Sequence, residues 1–378
     1  MPDDRARVAI AGVGNCAAAL VQAVAHYAVA ATDGAITPWI GPMRADAIQF
    51  VAAFDVDERK IGTPLAKAIH APPNCCRVGT RTASWETLIA ATGAFDVPVH
   101  MGPVLDGIAP HMADYPAHRS PRPASVAPVD VAQVLKESGA EVLVNYMPVG
   151  AERAARFYAA AALDAGCGFV NAMPCFIASE GDWAARFAAK CLPIIGDDVK
   201  SQFGATHLHR ALVAAMVDRG IRLTRTYQLN TGGNTDFLNM LDRTRLASKK
   251  RSKTDAVKAA MHPVIAPENV HIGPSDYVPW LDDNKVAFLR LEAEGCAGAP
   301  MDVEIRLSVQ DSPNSAGVVM DAVRYVAMAL RAGIGGTLHG PSAWLMKSPP
   351  MQLADGVALA ICRVAASGNL NALTMVGP

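Results

Sequence analysis

Lysine is the residue type whose placement in this chain could do chemistry. In "RLASKKRSKTDAV", Lys249, Lys250, Arg251 and Lys253 bring four cations into five positions. On a helix, Lys249 and Lys253 stand at i and i+4 on one face, where like charges repel and cost stability unless an anion lies between them. Taken alone, the run reads as a solvated basic face. Three other segments reverse that reading. "TGGNTDFLN" presents Asn234, Asp236 and Asn239, "WLDDNK" presents Lys285 after two acids, and "WLMKSPP" presents Lys347 in an apolar context. An ammonium close to other cations has a lowered pKa and can move protons near neutrality.

The N-terminus carries a second constellation. "GVGNCA", Gly12 to Ala17, fits G-x-G-x-x-A between a strand and a helix. Gly12 allows the tight turn and Gly14 lets the backbone approach a pyrophosphate. With Val13, Asn15 and Cys16 they form a candidate phosphate cradle at a helix N-terminus. The next strand, "AIQFVAAFDVD", ends at Asp55, placed to accept hydrogen bonds from adenosine ribose hydroxyls and to favour NAD over NADP. The glycine-to-acid interval exceeds the usual one because "DGAITPWIGPMRAD" is inserted. Later strands end on Asn145 in "VNYMP", Asn171 in "VNAMP", and Asp197, Asp198 and Lys200 in "IGDDVKS". Three polar strand ends in succession predict a lined cleft at the carboxyl edge of a parallel sheet.

The elements that position these groups alternate. After the first strand and helix come helix "VDVAQVLKESGA", strand "EVLVNYMPVG", helix "AERAARFYAAAALDAG", strand "CGFVNAMP", helix "SEGDWAARFAAKC" and strand "LPIIGDD". This is the pattern of a parallel sheet covered on both faces. Between about Gly93 and Pro128 a proline-punctuated stretch reads as a long ordered loop. Beyond "GDDVKS", a helix leads to the period-two strands "IRLTRTYQLN", "KVAFLRLEAEG" and "MDVEIRLSVQD", each charged on one face. A last helix, "AGVVMDAVRYVAMALRAG", returns to the first domain.

Composition is 51% hydrophobic and 18% charged with a net charge of -1, so no basic field exists to hold nucleic acid or an anionic membrane. The start has no signal-peptide pattern and no run is long enough to span a membrane. The eight cysteines form no C-x2-C pair and read as reduced thiols of a cytoplasmic protein.

"GVGNCA", "GDDVKS", "NTGGNTDFLNM", "SKKRSKTDAV", "HIGPSDYVPWLDDNK", "DSPNSAG" and "LMKSPP" together resemble inositol-3-phosphate synthase (myo-inositol-1-phosphate synthase) in its shorter bacterial and archaeal form, from about residue 7 to about residue 352. The resemblance implies an isomerase that uses NAD without consuming it. Glucose 6-phosphate would be oxidised at C5, enolised by loss of a C6 proton, closed by an aldol step between C6 and C1, and reduced again. It also implies roles: Lys249 for proton transfer, Lys285 and Lys347 near the carbonyl and enolate, and Lys253 on the phosphate. Asp198 matches an acid beside the nicotinamide that orients a lysine. Asn234, Asp236 and Asn239 match substrate-side groups, and Asp311 an acid near the cofactor. Lys200 and Ser201 match a phosphate-binding turn, although "KSQFG" here departs from the glycine-rich "SGQ" of eukaryotic members.

The expected fold is α/β: a Rossmann-like NAD-binding domain, residues 1–200 and 312–378, with an inserted α+β catalytic and oligomerisation domain, residues 201–311, built on an antiparallel sheet. The resemblance implies a homotetramer and a divalent or monovalent cation, for which no His/Cys/Asp cluster has ligand spacing. Two other readings stay open: an ordinary NAD-dependent dehydrogenase of a small carbonyl substrate, and an NAD-binding regulatory protein without catalysis.

Overall fold

The computed structural model describes residues 4–76, 95–261 and 265–375, without the side chains of Ala247, Lys249, Lys250, Pro274 and Ser275. The first strand, β1 (Ala6–Ala11), is buried at every position but Arg7. Helix α1 (Asn15–Val29) follows it directly. A small hairpin of β2 (Trp39–Ile40) and β3 (Met43–Arg44) accounts for the residues that lengthen the path to β4 (Ile48–Asp55). One helical turn, α2 (Leu65–Ala68), and a short strand, β5 (Val99–Met101), come next.

The expected alternation then appears: α3 (Val131–Glu137), β6 (Val142–Asn145), α4 (Glu152–Ala165), β7 (Gly168–Asn171), α5 (Gly181–Ala189) and β8 (Pro193–Ile195). Asp130 caps α3 by accepting from Gln133 N–H at 3.0 Å, and Gly166 ends α4 in the left-handed region.

After β8 lie α6 (Ala205–Asp218), β9 (Arg222–Gly232), α7 (Thr235–Asn239), α8 (Ala247–Lys258), β10 (Val270–Tyr277), β11 (Asn284–Glu294) and β12 (Pro300–Gln310). The chain closes with α9 (Asp311–Arg331), β13 (Gly336–Thr337), α10 (His339–Leu345) and α11 (Asp355–Ala366). Helix α9 starts five residues before the periodic apolar run because Pro313 sits in its first turn, where a missing N–H costs nothing.

The described strands form a parallel sheet in the order β13-β8-β7-β6-β1-β4-β5. The chain runs outward from β1 to one side and returns to build the other, which opens a crevice at the carboxyl ends of β1 and β6. Helices α1 and α9 cover one face through Leu20, Val21, Val323 and Val326. Helices α3 and α4 cover the other through Leu135, Ala155, Tyr158 and Leu163. Each such Leu or Val, fully buried, contributes roughly 1.5–3 kcal/mol.

The second sheet has the order β10-β9-β11-β12. Its three period-two strands pair antiparallel, as expected. β10 was not foreseen and pairs parallel to β9, so the sheet is mixed. Gly273 and Pro274 break its alternation, and an edge position tolerates proline. Val213, Met216, Val257 and Met261 of α6 and the α8 segment pack on Leu289, Leu291 and Ile272. No helix among the described residues is long and apolar enough to cross a membrane.

Candidate active site

The crevice between the two sheets is one continuous cavity, and the loops after β1, β6, β7 and β8 all reach it. Gly12, Gly14, Asn15 and Cys16 line it beside Asp55, Tyr146, Met173 and Asp198. Gly12 has φ +94, and a Cβ there would lie 2.7 Å from the Tyr146 carbonyl oxygen. At Gly14 a Cβ would meet nothing within 4 Å, so the turn presents bare backbone to open space at the N-terminus of α1. Asp55 accepts from Val13 N–H at 2.7 Å and from Val56 and Asp57 N–H, and so fixes the turn from below. Val13 itself has its side chain in the core. Burial and the nearby Asp311 push the Cys16 thiol up to about 12, so it is a packing group rather than a nucleophile.

Three expected cofactor contacts are corrected. Asn145, Asn171 and Asp197 are 0% exposed. Asn145 donates to Asn171 Oδ1 at 2.9 Å, and Asn171 donates to Asp197 Oδ1 at 2.6 Å. Asp197 also accepts from the N–H groups of Ile177, Ala178 and Ser179. Burial raises its pKa to about 6 against those bonds. Together the three tie neighbouring strand ends into a floor, and the residues after them face the cavity.

Lys200 is corrected in the same way. Its ammonium is buried and donates to the Ala343 carbonyl at 2.6 Å and to Asp355 at 3.1 Å, away from the cavity, while Ser201 beside it lines the cavity wall.

Two lysine–carboxylate pairs share the cavity with the glycine turn. Lys347 donates to Asp198 Oδ1 at 2.9 Å, and Lys285 on β11 donates to Asp311 Oδ1 at 3.0 Å. Asp311 opens α9, where the helix N-terminus favours a negative charge. Lys253 on α8 is 7% exposed and lines the same cavity, as do Asn234, Asp236 and Asn239. The Asn234 side chain also caps α7 through Asp236 and Phe237 N–H, and Asn239 donates to the Val149 carbonyl across the crevice. The side chain of Lys249 lies outside the described residues; its backbone is in α8, four residues before Lys253.

Several contributors escape a reading of the sequence. Ser252, between the lysines, donates to Asp198 Oδ2 at 2.6 Å. Asp283 is buried, accepting from Asn234 at 2.9 Å and from Ser312 N–H and Oγ, and burial followed by the charge of Asp311 pushes its pKa to about 6. Lys60 is buried under the glycine turn, donating to the Val13 carbonyl at 2.7 Å and lying 3.6 Å from Asp55. The pair of acids before Lys285 was the only signal for any of them. Among the described residues no group of three or more His, Cys, Asp or Glu could hold a metal ion.

Fold and site define a Rossmann-type α/β protein in which Lys285 of the second sheet, Lys253 of its helix and Lys347 meet at one cavity beside the first sheet. A family model described as myo-inositol-1-phosphate synthase matches residues 204–312. The chain is 50% identical over 94% of its length to the inositol-3-phosphate synthase of Mycolicibacterium smegmatis, covering 96% of that protein. It is 49% identical over 93% of its length to that of Corynebacterium glutamicum, covering 95% of it. A solved myo-inositol-1-phosphate synthase-related protein from Thermotoga maritima shares the fold, with a TM-score of 0.77 at 22% identity over 96% of this chain and 98% of that one. The chain belongs to the inositol-3-phosphate synthase family, whose members are isomerases.

Proposed function

We propose that the protein converts glucose 6-phosphate to inositol 3-phosphate by NAD-dependent oxidation at C5, enolisation, aldol closure between C6 and C1, and re-reduction, with no net NADH. One observation carries the reading: a bare glycine turn at a helix N-terminus and two carboxylate-held lysines share one cavity. The open space over Gly14 fits a pyrophosphate, and Asp55 at the end of β4 fits a ribose. NAD, when bound, supplies a hydride acceptor and donor. The remaining work falls to side chains.

Asp198 and Asp311 hold the ammonium groups of Lys347 and Lys285 in fixed places, where they stabilise the negative charge that develops on the substrate oxygen during enolisation. Lys249 moves the proton, and Lys253 and Ser201 take the phosphate. Asn234, Asp236 and Asn239 orient the sugar hydroxyls. On this reading residues 201–311 are the catalytic insert and residues 1–200 and 312–378 the nucleotide-binding part. Assembly as a homotetramer is part of the proposal. Leu229 and Phe288, paired across β9 and β11, are 40% and 43% exposed on the face of the second sheet away from its helices, an apolar surface that a partner sheet would cover.

Purified protein with glucose 6-phosphate and NAD tests this. Inositol phosphate formed over many turnovers without net NADH supports the synthase. NADH rising in step with product would make it a dehydrogenase instead. Lys249→Ala and Lys285→Ala are expected to be nearly inactive yet folded and NAD-bound.

A further inference from the structure

Residues 103–129 run from the end of β5 to the start of α3, and the mechanism above uses none of them. Prolines stiffen the segment, yet it does not lie loose on the surface. Its stretch 117–124 is fastened to the residues after Asp55. Arg122 N–H donates to Asp57 Oδ2 at 3.0 Å, Glu58 N–H donates to the Arg122 carbonyl at 2.8 Å, and Ala124 N–H donates to the Val56 carbonyl at 2.8 Å. The Arg59 guanidinium lies against Asp57, with Nε 2.7 Å from Oδ1, and donates onward to the carbonyls of Ala117 at 2.5 Å and Ser120 at 3.0 Å. Asp57 is 1% exposed, so this is a buried two-sided clasp rather than a surface ion pair. Burial works against its charge, but the hydrogen bonds from Arg59 and from backbone N–H groups outweigh it and hold the carboxyl below its usual range.

Three further bonds join the segment to the helix and loops beside the second sheet. Arg119 donates to Asp282 Oδ1 at 2.7 Å, His111 Nε2 lies 2.8 Å from the Leu238 carbonyl, and Arg245 donates to the Asp106 carbonyl at 2.8 Å. Among these anchors Ile108, Met112 and Pro121 line the same cavity as Asp55 and Lys60. The segment therefore spans the crevice on the Asp55 side, tied at both banks.

We propose that residues 103–129 form a strap that retains the dinucleotide between the oxidation and the re-reduction of one catalytic cycle, with Arg59 as the positioning residue that fastens it. The inference rests on the synthase reading. A dehydrogenase releases its reduced cofactor every turnover, whereas an isomerase with an internal redox cycle loses a turnover each time NADH escapes before the ring is reduced. The fraction lost is set by the exit rate against the re-reduction rate. A clasp that keeps three apolar side chains over the cavity lowers the exit rate without touching the reacting atoms.

The test is the rate at which bound NADH leaves, followed by its fluorescence on displacement with excess NAD, in the wild type, Arg59→Ala, Arg59→Lys and Arg119→Ala. Arg59→Ala should release NADH about tenfold faster or more, since removing a buried charge-assisted clasp acts mainly on the off-rate. Arg59→Lys, which keeps the ion pair but only part of the carbonyl fork, should fall between. Arg119→Ala, at a more exposed anchor, should give a smaller increase in the same direction. In turnover, Arg59→Ala should accumulate NADH in proportion to inositol phosphate, a ratio that a merely structural defect would leave at zero while lowering both rates. Should Arg59→Ala fail to fold, Arg119→Ala carries the test. NADH release at the wild-type rate in folded Arg59→Ala or, in its absence, Arg119→Ala overturns the strap, and so does wild type that binds no NADH. Wild type that binds NADH but makes no inositol phosphate removes the synthase reading, while the comparison of release rates still decides the strap.

Discussion

Lys347 is bound to Asp198 twice: its backbone N–H donates to the Asp198 carbonyl at 2.7 Å, and its ammonium donates to Oδ1 at 2.9 Å. The two residues are 149 positions apart. One follows β8, and the other follows α10. Asp198 has φ +63, a left-handed conformation that costs a residue with a Cβ roughly 1–2 kcal/mol. The two hydrogen bonds from Lys347 and the one from Ser252 offset that cost and hold the ammonium at the cavity wall.

Asp198→Asn keeps the shape and removes the charge that holds Lys347. Turnover should fall by about 10²–10³-fold, the usual cost of misplacing an electrostatic stabiliser. NAD affinity should change little, because the glycine turn and Asp55 are untouched. Steady-state kinetics with an NAD titration checks both, and kcat within threefold of wild type would remove Asp198 from the proposed machinery.

Ser252→Ala removes the hydroxyl that donates to Asp198 Oδ2 and ties the lysine-bearing helix to the first sheet. The loss of one hydrogen bond to a charged group, about 1.5–3 kcal/mol, predicts a drop in kcat of about tenfold or more. Ser252→Thr keeps the hydroxyl and should retain most activity. Equal loss in the two variants would show that packing at this buried position, and not the hydroxyl, is what matters.

Strands β1, β4, β6, β7 and β8 were legible because strands covered on both faces are written as apolar runs, and glycine at 12 and 14 has a local steric meaning, whereas the short β5, inside the stretch read as a loop, and the two-residue β13 were not. What failed was the direction of side chains at strand ends. An asparagine after an apolar run reads the same whether it faces the cleft or a neighbouring strand. Asn145 and Asn171 face each other because β6 and β7 are adjacent in register, a fact of topology that neither segment encodes alone. Lys200 failed for the same reason, its partner Asp355 lying in a tail segment with no readable motif. Lys253, Lys285 and Lys347, singled out by several motifs taken together, line one cavity. Asp283 and Ser252 gain their roles only from partners distant in sequence. The strap was visible as proline punctuation, but its anchors at Asp57 and Asp282 were not.

Gly12→Ala tests the one turn that sequence and geometry both single out. With φ +94 and a Cβ 2.7 Å from a backbone oxygen, either the turn or the β6 end must move. A loss of at least about 2 kcal/mol is expected from the strained backbone and the clash combined. Thermal melts with and without NAD should show a lower Tm and a smaller NAD-induced rise. An unchanged Tm would mean that the loop after β6 can yield without cost.

Asp355→Asn tests the buried cluster that replaced Lys200's expected role. Asp355 Oδ1 accepts from Lys200 and from Arg210, each at 3.1 Å, and so joins the C-terminal helix α11 to the helix that leads into the second sheet. Both cations are 4% exposed at the side chain. Burial opposes charge on Asp355, yet Lys200 and Arg210 hold its pKa below the usual range. A depressed carboxylate contributes stability above its unfolded pKa of about 3.9, lost as pH falls through the folded value. Burial, only partly opposed by Asp355, brings Lys200 down to about 8. Between about 8 and the unfolded value near 10.4 the native state therefore binds fewer protons than the unfolded one, and stability from this group rises with pH. Removing the carboxylate strands two buried cations at pH 7, a loss of about 3 kcal/mol. At pH 9, above the Lys200 value of about 8, the ammonium is already mostly neutral in the wild type, so the ion pair contributes less and the loss should be smaller there. Urea unfolding of wild type and Asp355→Asn at both pH values reads the difference directly. A loss equal at pH 7 and pH 9 would show that Arg210 alone depends on Asp355, and a loss below about 1 kcal/mol, the range of exposed pairs, would show that water reaches the cluster.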